Sequence, residues 1–226
     1  MGQVASTWLE LGLYLSKERA RILARCQGPT PLRRLIPTSV VDELMGEPAS
    51  HTPVLLLLAA FSRYELALDW ARQRAIETWG PIERESPAFE FAETHYYDAT
   101  MGPGLKKVFF TFQQPFDPEK LVEIKLQTNE WEQEYAVKNE WAEPRPLNLD
   151  PGYLTQGKLV LATTKDFAHR IYLSRGIYAE VTLQYRHHRW QHHQYTFADY
   201  RRADYQRFFT ECRETVKRMR DRAWGG

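Results

Sequence analysis

Ionisable side chains crowd the most strongly strand-forming stretch of this chain. The stretch covers residues 148–185 and reads NLDPGYLTQGKLVLATTKDFAHRIYLSRGIYAEVTLQY. Burying such groups among apolar strand residues is costly unless they are paired or used in binding or catalysis. The groups concerned are Asp150, Lys158, Lys165, Asp166, His169, Arg170, Arg175 and Glu180. We therefore expect the working face of the protein here, although the residues do not spell out a reaction.

The basic side chains of this stretch suit a site for an anionic small molecule that is phosphorylated or nucleotide-like. Arginine offers a bidentate fork to phosphate or carboxylate, and a tyrosine can stack on a base. We expect Lys158, Lys165, Arg170, Tyr172, Arg175 and Tyr178 to bind this ligand. Asp150, His169 and Glu180 are the candidate catalytic groups, since such groups can act as a general base. No cofactor can be named, and whether the protein is an enzyme stays open.

The second half of the stretch predicts a β-hairpin. Residues 174–176, Ser-Arg-Gly, form a three-residue loop with glycine where a positive φ is needed. This loop sets Leu173 opposite Ile177, Ile171 opposite Ala179, Tyr172 opposite Tyr178 and Arg170 opposite Glu180. The face that carries Ile171 and continues through Val181, Leu183 and Tyr185 is apolar and is expected to cover a core. The opposite face carries the Arg170–Glu180 ion pair and is either solvated or a platform for a ligand.

Two other interpretations of this region stay open. In the first, Asp150, Asp166 and Glu180 neutralise the basic groups, and the surface is only charge-paired. In the second, the sheet face is a protein- or RNA-interaction module that exposes Tyr172 and Tyr178 on a flat surface. Convergence on one pocket would favour the ligand site, whereas a flat arrangement without a pocket would favour the interaction module. The residues that would have to converge are Asp150, Lys165, His169, Arg170 and Glu180.

Composition argues against several other functions. A net charge of +1 over 226 residues argues against bulk electrostatic capture of nucleic acid or of an acidic membrane, with a local basic patch left open. No apolar run approaches the roughly 20 residues that span a bilayer, and the first residues lack a secretion signal. Cys26 and Cys212 fit no metal or redox spacing and suit a reducing cytoplasm. The sequence does not predict an oligomeric state.

Several catalytic and metal-binding motifs are missing. The chain has no GxxxxGK[ST] phosphate-binding loop. The nearest stretch is MGPGLKK at residues 101–107, which is either a hairpin connection or a phosphate-binding turn. Pro103 has no backbone N–H, so such a turn would lack one amide donor. The run HHRWQHH at residues 187–193 is expected to be an exposed loop. A second cluster, formed by Glu90, Glu93, His95 and Asp98, is expected to be a solvated strand end. We therefore expect no metal site.

Hydrophobic periodicity predicts an α/β protein of the α+β kind. A buried strand at 54–58 precedes a helix that begins with a Ser62–Glu65 capping box and ends at Trp79. Strands follow at 89–91 and 107–112, then a helix that begins at Asp117-Pro118, then a strand at 147–149. This β-α-β-β-α-β order is that of a ferredoxin-like core. The hairpin extends its sheet.

Two further segments complete this fold prediction. A closing C-terminal helix has Tyr205, Phe208, Phe209, Cys212, Val216 and Met219 on one side and is expected to pack over the sheet. Residues 156–165 fit either a strand or a short helix, and we favour the helix.

The first 50 residues differ from the remainder. Their weak helical stripes alternate with no partner strand, so residues 1–50 are predicted to be an arm that is weakly helical or flexible. Residues 51–226 are predicted to form a single compact α/β domain. Met45 leads straight into the first convincing strand, so residues 1–44 are open to being an over-extended gene start.

Four long segments carry a family resemblance. They read FEFAETHYYDATMGPGLKK, PFDPEKLVEIKLQTNEWE, LDPGYLTQGKLVLATTKDFAHRIYLSRGIYAEVTL and YTFADYR, and they occur in this order. Over about residues 53–218 the chain resembles the bacterial family of uncharacterised proteins catalogued as domain of unknown function 4416. The resemblance implies no established activity, although some members carry a generic GTP-binding label. The missing phosphate loop and the missing guanine-reading NKxD motif argue against a conventional GTPase.

Overall fold

A nine-stranded antiparallel sheet organises the part of the chain that this computed structural model describes, namely residues 51–52, 54–94, 96–138 and 140–224. Its strands are β1 Val54–Ser62, β2 Ile82–Glu85, β3 Phe89–Glu90, β4 Lys106–Phe116, β5 Asn148–Leu154, β6 Lys158–Thr163, β7 Ile171–Ser174, β8 Ile177–Arg186 and β9 Arg189–His192. The order along the sheet is β2-β4-β1-β5-β6-β8-β7, with β3 paired to β4 and β9 paired to β8. The predicted arm at residues 1–50 lies outside the described residues.

Four α-helices occur in the described part of the chain. They are α1 Glu65–Trp79, α2 Asp98–Met101, α3 Leu121–Lys138 and α4 Ala203–Trp224, and 3₁₀ turns cover Pro118–Lys120 and Asp199–Arg201. Helices and an extensive sheet confirm the predicted mixed α/β class. Among these helices none is both long and apolar enough to cross a bilayer.

The helix starts differ in how well the sequence predicted them. The Asp117 side chain accepts a hydrogen bond from the Glu119 amide at 3.0 Å, as expected of a cap. The predicted Ser62–Glu65 capping box is wrong. Ser62 is the last residue of β1, where its hydroxyl donates to the Pro146 carbonyl at 2.6 Å and accepts from the Tyr64 amide at 2.9 Å.

Helices cover both faces of the central strands. Helices α1 and α3 pack on one face through Ala67, Ala71, Trp131 and Tyr135, and α4 packs on the other. The predicted α4 stripe is confirmed, since Tyr205, Phe208, Phe209, Cys212 and Val216 are buried and Met219 packs against them. Every residue of β1 is buried, because both of its faces meet a helix layer, and this explains its unbroken apolar run.

Residues 158–163 are a strand, so the helix that we favoured there is wrong. This strand, β6, pairs with β5 on one side and with β8 on the other, and Leu159, Val160, Leu161 and Ala162 are buried. A strand that is buried on both faces shows no alternation, and periodicity alone does not separate it from a buried helix.

The β7–β8 hairpin keeps part of its predicted register. Ile171 pairs with Ala179 and Tyr172 with Tyr178, as predicted, but Ser174 rather than Leu173 pairs with Ile177 because the register shifts by one residue. A second shift lies between β6 and β8, where Val160 pairs with Val181 but Leu159 pairs with Leu183.

This second shift overturns the predicted faces of the hairpin. Ile171, Leu173 and Val181 are 69%, 41% and 39% exposed, whereas Glu180 and Thr182 are buried. The extra residue on β8 moves Leu183 to the α4 side, while Ile177 stays on the α3 side. The apolar face therefore covers the core only at its two ends.

Candidate functional site

A gap in the pairing of β8 lies beside a cavity at the edge of the sheet. Strand β7 pairs with β8 as far as Ala179, and β9 pairs with it from Leu183 onward, so residues 180–182 have neither neighbour on this side. A cavity of about 740 Å³ lies here and is called the edge cavity below. It is lined by Tyr153, Lys158, Val160, His169, Ile171, Leu173, Ala179, Glu180, Val181, Thr182, His193, Gln194, Tyr195 and Thr196.

The carboxylate of Glu180 is the buried polar centre of the edge cavity. One of its oxygens, Oε2, accepts from Arg170 Nε at 2.8 Å and lies 3.2 Å from His169 Nε2. The other, Oε1, accepts from the Thr182 hydroxyl at 3.1 Å. Arg170 also donates to the Lys165 carbonyl at 2.9 Å, which fixes the loop before β7. The guanidinium therefore neutralises the carboxylate locally, and the cavity gains no net negative charge from Glu180.

His169 is held in one orientation from two sides. Its ring stacks on Tyr195 with centroids 4.7 Å apart and planes 3° from parallel, and its Nε2 faces the Glu180 carboxylate. An ionised carboxylate only accepts hydrogen bonds, so Nε2 carries the proton in this contact and Nδ1 is the acceptor of the neutral ring. His169 Nδ1 and His193 Nε2 are both buried without a hydrogen-bond partner among the described residues. Both rings belong to residues that line the edge cavity.

The structure brings four of the predicted site residues to the edge cavity. Three of them line it, namely His169, Glu180 and the exposed Lys158. The fourth, Arg170, forms an ion pair with Glu180. The predicted Arg170–Glu180 pair is present, but it is buried rather than exposed, with side chains 9% and 3% accessible. The predicted convergence is therefore only partial, because Asp150 and Lys165 do not line this cavity.

Four other predicted ligand-binding residues point elsewhere. The rings of Tyr172 and Tyr178 contact each other, with centroids 5.3 Å apart, on the strand face opposite to Ile171. Arg175 is exposed in the hairpin loop with φ 52°, next to Gly176 with φ 78°. Lys165 donates to the Tyr96 hydroxyl at 2.8 Å. The structure therefore does not bring these side chains to the edge cavity.

Asp150 belongs to a separate polar cluster at the start of β5. Strand β6 pairs with β5 only from Gly152 onward, so the first residues of β5 lack a strand on that side. Side chains of α3 take its place: Lys125 donates to the Leu149 carbonyl at 2.8 Å, and Glu132 accepts from the Leu149 amide at 2.7 Å. Asp150 accepts from Lys125 at 3.2 Å and from Asn148 at 2.9 Å.

Charges in this cluster compensate for burial. Burial raises the pKa of Glu132, against the opposing effects of Lys125 and Arg145. Burial also acts to raise the pKa of Asp150, but the charges of Lys125, Lys107 and Arg145 lower this pKa by more than burial raises it. The pKa of Asp150 therefore lies below its ordinary value of 3.8. Each carboxylate has a cation within hydrogen-bonding distance, with Arg145 donating to Glu132 at 2.8 Å. The cluster therefore has the character of a structural charge network.

Sequence reasoning missed the most buried ion pair of the described residues. Lys107 and Asp199 are paired at 2.5 Å with both side chains 4% exposed. The ammonium also lies 4.7 Å, 4.3 Å and 5.1 Å from the ring centroids of Phe61, Phe91 and Tyr200. Alternation along β4 gave no signal for this pair, because Lys106 is in phase with the buried Val108 just as Lys107 is in phase with the buried Phe109.

The glycine-rich turn at residues 101–107 offers no unpaired lysine. Lys106 pairs with Glu65 at 2.8 Å, and Lys107 with Asp199. Gly102 has φ 72°, and a Cβ added there would lie 2.7 Å from Glu143 Oε1. The turn is thus packed against protein groups, which favours the hairpin-connection interpretation over the phosphate-binding one.

The histidine-rich run is partly ordered sheet. His187 and His188, with φ 51° and 62°, form the tight turn between β8 and β9, and Trp190 of β9 is buried. The expectation of one exposed loop is therefore wrong for β9, because Trp190 packs against the α4 layer. Within the described residues no group of three metal-ligating side chains is assembled, and His95 of the second predicted cluster is not among those residues.

Comparisons with known proteins give one match. The family model described as "Domain of unknown function (DUF4416)" matches residues 52–215. No curated protein and no solved structure matches the chain.

Proposed function

Since the chain belongs to the DUF4416 family, whose description names no activity, we propose its function from the geometry: the edge cavity binds a small anionic molecule, phosphorylated or nucleotide-like. The observation that carries this proposal is the buried Glu180 carboxylate already paired with Arg170 at the floor of the cavity. With that charge balanced, Lys158 is the cation of the lining, and the ring nitrogen of His193, unpaired among the described residues, is a further polar group. An anion is the ligand that such a lining stabilises.

The size and composition of the edge cavity support a small-molecule ligand. Its volume of about 740 Å³ falls within the roughly 300–1,000 Å³ typical of ligand sites. Such sites are mostly apolar with a few convergent polar groups. Val160, Ile171, Leu173 and Val181 supply the apolar part here. Whether the bound molecule is also transformed depends on His169, whose orientation by Glu180 suits a general base.

We also infer that residues 54–154 form a ferredoxin-like core. The support is the strand order β2-β4-β1-β5 with antiparallel neighbours and with α1 and α3 on one face, which is the split β-α-β pattern. Strands β6 to β9 extend this sheet on the β5 side, and the edge cavity lies in that extension. We further propose a cytoplasmic location, supported by the unbridged thiol of Cys212.

A thermal-shift screen tests the binding proposal. The panel contains inorganic phosphate, nucleoside phosphates, sugar phosphates and carboxylates, each with and without magnesium. A ligand at about 100 times its dissociation constant adds about 2.7 kcal/mol to the free energy of unfolding, which raises Tm by roughly 5–10 °C at this size. We expect a rise of that order for at least one class of anion.

Lys158→Ala is the variant that links such a shift to the edge cavity. Its side chain is exposed, so the variant should fold, whereas Arg170→Ala leaves a buried carboxylate unpaired. Lys217→Ala, on the exposed side of α4, is the matched control with the same loss of charge. If neither Lys158→Ala nor Lys217→Ala changes the anion-induced rise in Tm, the anion binds outside the edge cavity. No shift across the panel would favour the protein- or RNA-interaction module instead.

A further inference from the structure

One wall of the edge cavity is aliphatic, and an anionic headgroup alone would not contact it favourably. Ile171, Leu173 and Val181 are large apolar side chains that stay exposed although they lie on strands of the main sheet. Contact of such a surface with water is unfavourable. An apolar ligand group that covers it contributes about 25 cal/mol of binding free energy per Å² of apolar surface removed from water. Single exposed apolar residues are ordinary, but three lining one cavity together indicate a ligand group.

We propose that the bound molecule is an amphiphilic anion whose organic part is an aliphatic chain, with phosphate or carboxylate as its headgroup. This inference rests on the proposed function, because it names the class of the ligand in the same cavity. The chain lies along the aliphatic wall, and the headgroup lies among the polar groups of the lining.

The strand register places the aliphatic residues side by side. Ala162, Ala179 and Ile171 are consecutive partners across β6, β8 and β7, and Val160 and Val181 form the neighbouring pair on β6 and β8. These positions share one face of the sheet, but Val160 and Ala162 are buried against α3, so the apolar strip open to a ligand is formed by Ile171 and Val181 on β7 and β8. Tyr153 and Leu173 complete its border in the lining. A flexible chain is the group that an elongated strip of methyl groups fits.

Polar groups line the edge cavity together with the aliphatic residues. Lys158 is two residues from Val160 on β6, which places it about 7 Å away along the strand. His169, His193 and Thr182 also line the cavity, and Thr182 belongs to the unpaired segment of β8. A chain on the strip therefore has cationic or hydrogen-bonding partners within reach of a headgroup at its end.

The tyrosines near the edge cavity each contact another ring of the protein. Tyr172 and Tyr178 contact each other on the opposite face, and Tyr195 covers His169. Tyr153 packs toward Phe116, with ring centroids 6.5 Å apart. Tyr195 is nevertheless 44% exposed, so the comparison of alkyl phosphates with adenosine monophosphate separates a chain on the aliphatic residues from a base on this ring.

Calorimetric titration with homologous alkyl phosphates and alkyl carboxylates tests the inference. Butyl, hexyl, octyl and decyl members are used below their micelle concentrations, with adenosine monophosphate and inorganic phosphate as comparisons. We expect the affinity to rise up to about fourfold for each methylene that becomes buried. The two homologous series show whether phosphate or carboxylate is the preferred headgroup.

Variants connect the chain-length effect to the strip. Leu173→Ser and Val181→Ser should each weaken decyl phosphate about tenfold and change butyl phosphate little. Leu66→Ser on α1 is the matched control, since that side chain is 74% exposed and lies outside the cavity lining. An equal loss in Leu66→Ser and Leu173→Ser would indicate general adsorption of the amphiphile and overturn the inference.

The remaining outcomes separate the two proposals. Anions that bind through Lys158 with no effect of chain length would overturn the aliphatic ligand and leave the anion site standing. No binding of any anion would end both proposals. A dimer in size-exclusion chromatography that Leu173→Ser dissociates, together with no chain-length effect, would show that the strip contacts a second copy of the chain instead.

Discussion

Arg170 and Glu180 form an ion pair at the edge of the sheet, with Nε and Oε2 2.8 Å apart and the two side chains 9% and 3% exposed. The two residues lie on either side of the β7–β8 loop, so the closure of the hairpin brings them together. The same carboxylate orients His169 through Nε2. One buried contact thus supports both the hairpin and the candidate site.

Removal of one partner of this pair should be strongly destabilising. Arg170→Ala leaves the Glu180 carboxylate buried without its cation, and we expect the free energy of unfolding to fall by about 3–5 kcal/mol. Chemical denaturation measures the change. Arg220→Ala, which breaks an exposed pair with Asp221, is the control and should cost less than about 1 kcal/mol. Equal costs for the two variants would contradict the burial of the pair.

Lys106 and Lys107 should respond very differently to the same substitution. Lys107→Ala strands the buried Asp199 and removes the ammonium from its aromatic surroundings, which should cost about 3–5 kcal/mol. Lys106→Ala loses a pair with Glu65, whose side chain is 76% exposed, and should cost less than about 1 kcal/mol. Thermal and denaturant unfolding of the two variants checks this contrast, and a loss of similar size in both would count against it.

Gly152 should not tolerate a side chain, whereas Gly157 should. A Cβ at residue 152 would lie 2.1 Å from the backbone carbonyl oxygen of Val160, so β5 and β6 would have to separate. We expect Gly152→Ala to cost about 3 kcal/mol or more. A Cβ at residue 157 meets nothing within 4 Å, and Gly157→Ala should change stability by at most about 0.5 kcal/mol. A stable Gly152→Ala protein would refute this strand contact.

Asp150 should make stability depend on pH in the acid range. Its pKa in the folded protein lies below the ordinary 3.8, because Lys125, Lys107 and Arg145 outweigh the opposing effect of burial. A lowered pKa stabilises the fold above the unfolded-state pKa, and this stabilisation is lost as the pH falls through the folded-state pKa. Asp150→Asn should therefore be less stable than wild type by about 2 kcal/mol at neutral pH.

The difference between wild type and Asp150→Asn is the quantity to measure. It should stay constant above about pH 4 and shrink as the pH falls further. Denaturation midpoints of both proteins across that range supply it. A difference that grows on acidification would have the wrong sign.

The predictable part of the fold was the part with strong local signals. The β1 run, the Asp117 cap of the 3₁₀ turn before α3 and the buried stripe of α4 all follow from local patterns. The strand β6 and the faces of the β7–β8 hairpin did not follow. They depend on neighbours and on a one-residue register shift opposite Val160, which no local pattern contains.

The contacts of the candidate site were likewise predictable only where they depend on local spacing. The hairpin loop alone placed Arg170 near Glu180, so their contact followed from spacing. Lys165, Tyr172 and Tyr178 are just as close in sequence, but alternation and the preceding loop direct them elsewhere. His193 and Tyr195 were missed as site residues, because only the return of the chain after β9 brings them to the edge cavity.

The side chains of α3 that stand in for a missing strand also bear on the order of folding. Lys125 and Glu132 are seven residues apart, about two helical turns, and both bond the backbone of Leu149. That backbone gains its outer partners only when the helix has docked, so α3 and the start of β5 become ordered as one cooperative unit. Protection of the Leu149 amide from hydrogen exchange therefore reports the docking of α3 rather than the pairing of two strands.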